Sequence, residues 1–111
     1  MAIQNVDYSD VNFDEMAKLI GLKPKHIPML IGSFLDESVS ILTALEDAIN
    51  EKDFTAIRSN AHSIKGSAGN LKFNEVYEMA KEMELSAAES IELDYEAYFK
   101  AIKEAIATIP N

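Results

Sequence analysis

Along almost the whole chain, apolar residues recur at three- and four-residue steps and are separated by short polar breaks, which is the spacing of helices that bury one face. The pattern predicts five helices and no strand. Asn12 has the position of an N-cap, with Glu15 three residues on as in a capping box. Val11 and Met16 are spaced for a hydrophobic staple, and Gly21 ends this first, short helix. Pro24 and Pro28 place the start of the second helix between them, because proline fits a first turn and breaks an interior. Leu30, Phe34, Leu42, Leu45 and Ile49 then form its apolar stripe.

Asn50, Glu51 and Lys52 read as a turn, and Asp53 as the cap of a third helix with Phe54, Ile57, Ala61, Ile64, Ala68 and Leu71 inward. Asn74 is the expected cap of a fourth helix, carrying Val76, Ala80, Met83 and Ala87. Asp94 is the expected cap of a fifth, carrying Tyr95, Phe99, Ile102 and Ile106. Long amphipathic helices joined by short turns pack as antiparallel neighbours. The predicted fold is therefore all-α: an antiparallel up-down-up-down four-helix bundle over a single domain, residues 1–111, with the short N-terminal helix across one end.

Composition narrows what such a bundle can do. No residue is cysteine, so disulfides, thiolate metal sites and cysteine nucleophiles are excluded. The formal charge of −9 disfavours nucleic acid and anionic lipid as partners. No uninterrupted apolar run approaches the roughly 20 residues of a membrane span, and the N-terminus lacks the features of a secretory signal. These points predict a soluble, cytoplasmic monomer that needs no membrane. Beginning at Met1 and ending soon after the last helix, the chain is expected to be free-standing rather than excised from a larger kinase.

The third helix carries the candidate chemistry. At about 100° per residue, His62 points roughly 130° away from the centre of the apolar stripe and should meet solvent. Arg58 and Lys65 lie one turn before and after it, and Gly66 and Gly69 present no side chain. Glycine inside a helix costs about 1 kcal/mol relative to alanine. An exposed imidazole can attack a phosphoryl group, a glycine one turn on leaves room for a donor, and a lysine can hold the transferred charge. The competing reading is that the helix stops at Gly66 or Gly69 and that His62 is an ordinary surface residue.

The segment Ala61, His62, Ser63, Ile64, Lys65, Gly66, Ser67, Ala68, Gly69, Asn70, Leu71 closely resembles the signature of histidine-containing phosphotransfer (HPt) domains of two-component phosphorelays. The resemblance extends in helix order over roughly residues 10 to 108. It implies a four-helix bundle without kinase activity, in which His62 accepts a phosphoryl group from a receiver-domain aspartate and passes it to another receiver. It gives Lys65 the role of stabilising that group and Gly66 that of keeping the ring accessible, with Gly69 serving the same open face. The implied partners are response-regulator receiver domains and a hybrid sensor histidine kinase. Magnesium is expected on the receiver, and no cofactor or metal on this chain. Met16, Ile20 and Arg58 are the candidate partner-binding residues, although Met16 and Ile20 also suit the core. Lys72 and Phe73 depart from the small pair, often Gly then Ala, that many members have there.

Other chemistries fit less well. A di-metal carboxylate bundle wants glutamate three residues before histidine, and the residues there are Ser59 and Lys23. His26, between two prolines, reads as structural. No glycine-rich nucleotide loop exists, so the phosphoryl group must come from outside. The acidic runs Glu82 to Glu84 and Glu89 to Asp94 lack calcium-loop spacing and read as solvated helix faces. The remaining alternative is an adaptor that binds receiver domains without transferring phosphate.

Overall fold

A computed structural model describes residues 3–111; Met1 and Ala2, where the chain begins, lie outside it. The described residues form α1 (Phe13–Ile20), a 3-10 turn (Pro24–His26), α2 (Ile27–Asn50), α3 (Phe54–Asn70), α4 (Asn74–Ala88) and α5 (Tyr95–Ala107), with no strand among them. The helix starts follow local chemistry. Asn12, Asp53 and Asp94 each accept a hydrogen bond at 3.1 Å from the backbone N–H three residues on, and Pro28 lies in the first turn of α2.

The ends of α1 to α4 share one solution. Lys52, Lys72 and Ser90 follow α2, α3 and α4 with φ of 53°, 64° and 54°. In each case the next amide turns back to the helix: Asp53 to Ala48, Phe73 to Ala68 and Ile91 to Ser86. These are Schellman closures made without glycine; only Gly21, at φ 85°, closes a helix with the residue that does so without strain. The Lys72–Phe73 departure thereby acquires a meaning. Lys72 takes the left-handed position at which glycine is at ease, while Phe73 is 1% exposed and puts its ring 4.8 Å from Tyr8 and 5.5 Å from Phe34.

The cap of α4 differs from expectation. Asn74 is the first helical residue, and Phe73, which has no side-chain acceptor, occupies the cap position. The missing acceptor comes from far away in the chain. The Tyr8 hydroxyl accepts from the Val76 amide at 3.3 Å and donates to Glu75 Oε1 at 2.9 Å. The Tyr8 amide donates to Thr108 Oγ1 at 2.8 Å. The N-terminal segment is thus strapped to both α4 and α5.

One core unites the helices, and it includes the predicted inward residues of α4 and α5. On α2 the buried stripe is shifted: Ile27, Ile31, Phe34, Ser38, Leu42, Leu45 and Ala48 are buried, whereas Leu30 and Ile49 are only partly so. Ser38 is tolerated there because its hydroxyl donates to the Leu35 carbonyl at 2.8 Å. Pro24–Asn50 is long and apolar enough to cross a membrane by length and composition, with Asp36 and Glu37 in its middle, and its inward stripe is buried in the core of the bundle. Helix α3 packs most extensively on α4, α2 touches α3 and α5, and α4 touches α5, which closes a ring of four; α1 lies against α2. Small residues are among those both helices bury, Ala61 and Ala68 on α3 and Ala80 and Ala87 on α4.

Candidate functional site around His62

The inner residues flanking His62, Ala61 and Ile64, have no solvent exposure, which fixes the rotation of α3 and turns the imidazole outward with 66% of its side chain exposed. The helix continues without interruption to Asn70, so neither Gly66 nor Gly69 ends it. The reading of His62 as a residue beside a glycine cap is thereby overturned.

Across from it stands Glu84 of α4, a residue the sequence reading had left on a solvated face. One carboxylate oxygen, Oε2, lies 2.7 Å from His62 Nδ1, and the other, Oε1, lies 2.7 Å from Lys65 Nζ. Oε1 is shielded from solvent, and its contact with Lys65 is an ion pair rather than an aligned hydrogen bond. Burial pushes the Glu84 carboxyl up, but the short contacts with Lys65 and His62 outweigh it and hold the group below the usual carboxylate range. Contact with Glu84 in turn raises the Lys65 ammonium, against a smaller opposing effect of desolvation. The surroundings of His62 are therefore not simply basic.

An ionised carboxylate only accepts hydrogen bonds. Nδ1 must then carry the proton in the Glu84 contact, and in the neutral ring the lone pair lies on Nε2. The site presents a nucleophilic nitrogen outward and a fixed anion behind it.

The two glycines have different surroundings. A Cβ built on Gly66 would meet no heavy atom within 4 Å, so nothing inside the protein requires glycine there. Side chains on a helix lean toward its N-terminus, so any side chain at position 66 would lean back toward His62, one turn earlier. Gly69 does not serve the open face as expected. A Cβ there would come within 3.1 Å of the Tyr77 ring, because α4 presses on α3 at that point.

The expected partner-binding residues also divide. Met16 is 4% exposed and belongs to the core, since its side chain is on the face of α1 turned inward. Ile20 is partly buried and lines a groove of about 300 Å³ with Leu22, Leu30, Ser67 and Asn70. Arg58 is exposed and lines a second cleft, of about 400 Å³, together with His62 and Glu84. Leu22, on the wall of the first groove, is a large apolar side chain that reaches solvent, as are Leu19 and Met29, each next in sequence to a groove residue. Their exposure has no local signal, because a large apolar residue beside an amphipathic stripe has the same spacing whether it joins the core or meets solvent.

The Hpt domain family matches residues 29–111. The chain belongs to the Hpt domain family, whose members are phosphotransfer relay modules of two-component signalling and not kinases. No curated relative and no solved structure matches the chain.

Proposed function

We propose that this protein accepts a phosphoryl group on Nε2 of His62 from the aspartate of one receiver domain and passes it to the aspartate of another. The observation that carries this reading is the outward imidazole with Nδ1 held by Glu84. The Nε2 lone pair attacks phosphorus, the bond to the aspartyl oxygen breaks, and its electron pair leaves with the carboxylate. The Nδ1 proton stays in place. The ring becomes cationic as the N–P bond forms, and the adjacent Glu84 carboxylate offsets that charge where it develops. Lys65 keeps Glu84 ionised and oriented, and Gly66 gives clearance. Transfer onward is the same step in reverse.

Such a relay takes its phosphoryl group from a hybrid sensor histidine kinase by way of that kinase's receiver, and any magnesium enters on the receiver. The groove between Ile20, Leu22 and Leu30 is the docking surface this reading favours, since Ser67 and Asn70 of the histidine's own helix form its other wall. An up-down-up-down order of α2 to α5 is supported by their short turns and ring of neighbours. We read the protein as a cytoplasmic monomer.

The experiment is to mix the protein with a receiver phosphorylated on aspartate and to detect acid-labile phosphate by intact mass, alongside His62→Gln. Label on the parent chain and none on the variant is the expected result. Binding to several receivers without any transfer would leave an adaptor instead.

A further inference from the structure

From Met16 to Leu35 the chain carries three lysines, Lys18, Lys23 and Lys25, and no carboxylate side chain, although its formal charge is −9 and all 19 acidic residues lie outside this stretch. The stretch runs from α1 through the 3-10 turn into the first turns of α2. The amides of Gly21 and Leu22 both return to the Ala17 carbonyl, which folds the turn back onto the end of α1, where Lys18 and Leu19 lie. Every residue from Gly21 to Lys25 is exposed, and Leu19 and Met29 are 69% and 67% exposed. Lysines and large apolar side chains thus share one solvent-facing end of the molecule.

Local structure accounts for only one of the lysines. Lys18 is in the last turn of α1, where a cation is favoured. The N-terminus of α2 is instead a positive end, at which acidic side chains stabilise, yet its first turn has none and Lys25 stands two residues ahead of it. Neither Lys23 nor Lys25 takes part in the salt bridges found among the described residues, both of which are made by Glu84.

We infer that this basic, apolar end is the electrostatic half of the docking surface, and that its occupant is the carboxylate-rich face of a receiver domain. The inference rests on the relay reading and adds to the apolar groove the charge that orients the partner. The groove joins this end to the site: Ile20, Leu22 and Leu30 face Ser67 and Asn70, and Ser67 lies five residues, about 7.5 Å of helix rise, beyond His62. Glu37 is the one acidic residue on its walls. A receiver that brings magnesium to its aspartate gathers carboxylate oxygens around that metal. With the aspartate over His62, the acidic face extends across the groove toward Lys23 and Lys25, and the attraction acts on the rate and orientation of encounter.

The test compares Lys23→Glu/Lys25→Glu with Lys100→Glu/Lys103→Glu, which makes the same change of net charge on α5, a helix that does not line the groove. Association with a panel of magnesium-loaded receiver domains is followed by stopped-flow fluorescence at about 0.01 M and about 1 M salt, where the screening length is about 30 Å and about 3 Å. At low salt the first variant should associate about tenfold more slowly than the parent and the second less than about twofold, with all three converging at high salt. Lys23→Gln/Lys25→Gln should fall between the parent and the first variant. Because the new carboxylates stand at the positive end of α2, the first variant should keep or exceed the parent Tm, so that slower encounter is not a loss of fold. Phosphorylation of His62 by phosphoramidate, a donor too small to need docking, should run at the parent rate in every variant. Equal slowing by the two charge reversals would overturn the inference by reducing the effect to net charge, and an unchanged association rate would overturn it outright. So would binding of the parent to phosphatidylglycerol vesicles that Lys23→Glu/Lys25→Glu abolishes while receiver association is untouched. Receivers that bind with the expected salt dependence and transfer no phosphoryl group would refute the relay reading and leave the docking surface standing.

Discussion

Gly66→Ala should make this protein more stable, and Gly66→Leu should make it slower at its task. Replacing a helix-interior glycine by alanine removes backbone freedom from the unfolded chain and is worth about 1 kcal/mol where the new methyl group meets no obstacle. At Gly66 it meets none within 4 Å, so the full gain is expected, or roughly 4 °C in Tm for a domain of this size. Gly69→Ala is the internal control. It has the same propensity gain, but its Cβ stands 3.1 Å and 3.4 Å from two carbons of the Tyr77 ring, which must shift by a few tenths of an ångström. Its net change should fall well below that of Gly66→Ala, near zero or negative. Thermal and urea denaturation of the two variants in parallel measure the difference. Gly66→Leu should raise the Tm by roughly 3 °C, since leucine is nearly as good a helix former as alanine, while lowering the rate of transfer from a phosphorylated receiver at least about tenfold, equivalent to about 1.4 kcal/mol in the barrier. Destabilisation by Gly66→Ala would refute the claim that nothing inside the fold requires this glycine. Undiminished transfer by Gly66→Leu would refute the claim that a partner requires it.

Glu84→Gln keeps the shape of the side chain and removes the anion, so transfer to His62 should slow by about tenfold with the helical content unchanged by circular dichroism. Because the folded-state pKa of Glu84 is depressed, its contribution to stability is present above the usual carboxylate range and lost as pH falls through the folded value. The stability gap between the parent and Glu84→Gln, measured by urea titration at a series of pH values, should therefore close in acid; a gap that widened there would contradict the sign. Lys72→Gly relieves a left-handed lysine at φ 64° and should add about 0.5–1 kcal/mol to the unfolding free energy. Tyr8→Phe removes the acceptor for the Val76 amide and the donor to Glu75, and should cost about 1 kcal/mol by the same measurement.

What could be read from the sequence follows the boundary between local and long-range information. Caps such as Asn12, Asp53 and Asp94, the outward direction of His62 and the buried stripes of α3 to α5 are written within a few residues of where they act. Glu84 is not, because its meeting with His62 depends on the register between two helices. That register has a simple statement once the turn is known. His62 and Glu84 each lie eleven residues from Phe73, and Gly69 and Tyr77 each lie four from it, so both pairs meet as equidistant positions of a helical hairpin. The turn itself was the uncertain point, since Lys72 and Phe73 carry neither glycine nor a cap. Tyr8 was invisible for a different reason: nothing in a segment without periodicity announces that its hydroxyl will reach the first turn of a helix 68 residues away.

That reach separates two ways of drawing the boundary of the domain. Similarity to the family begins at residue 29, yet the first turn of α4 draws its acceptor from residue 8, and the ring of that same tyrosine rests on Phe73. A fragment cut to the family boundary would retain His62, Lys65, Gly66 and Glu84. It would also leave the Val76 amide without its acceptor and expose one face of the Phe73 ring at the base of the helix that presents Glu84. For this chain the recognisable unit is smaller than the cooperative one, and the residues that distinguish them lie in a stretch with no helical signature at all.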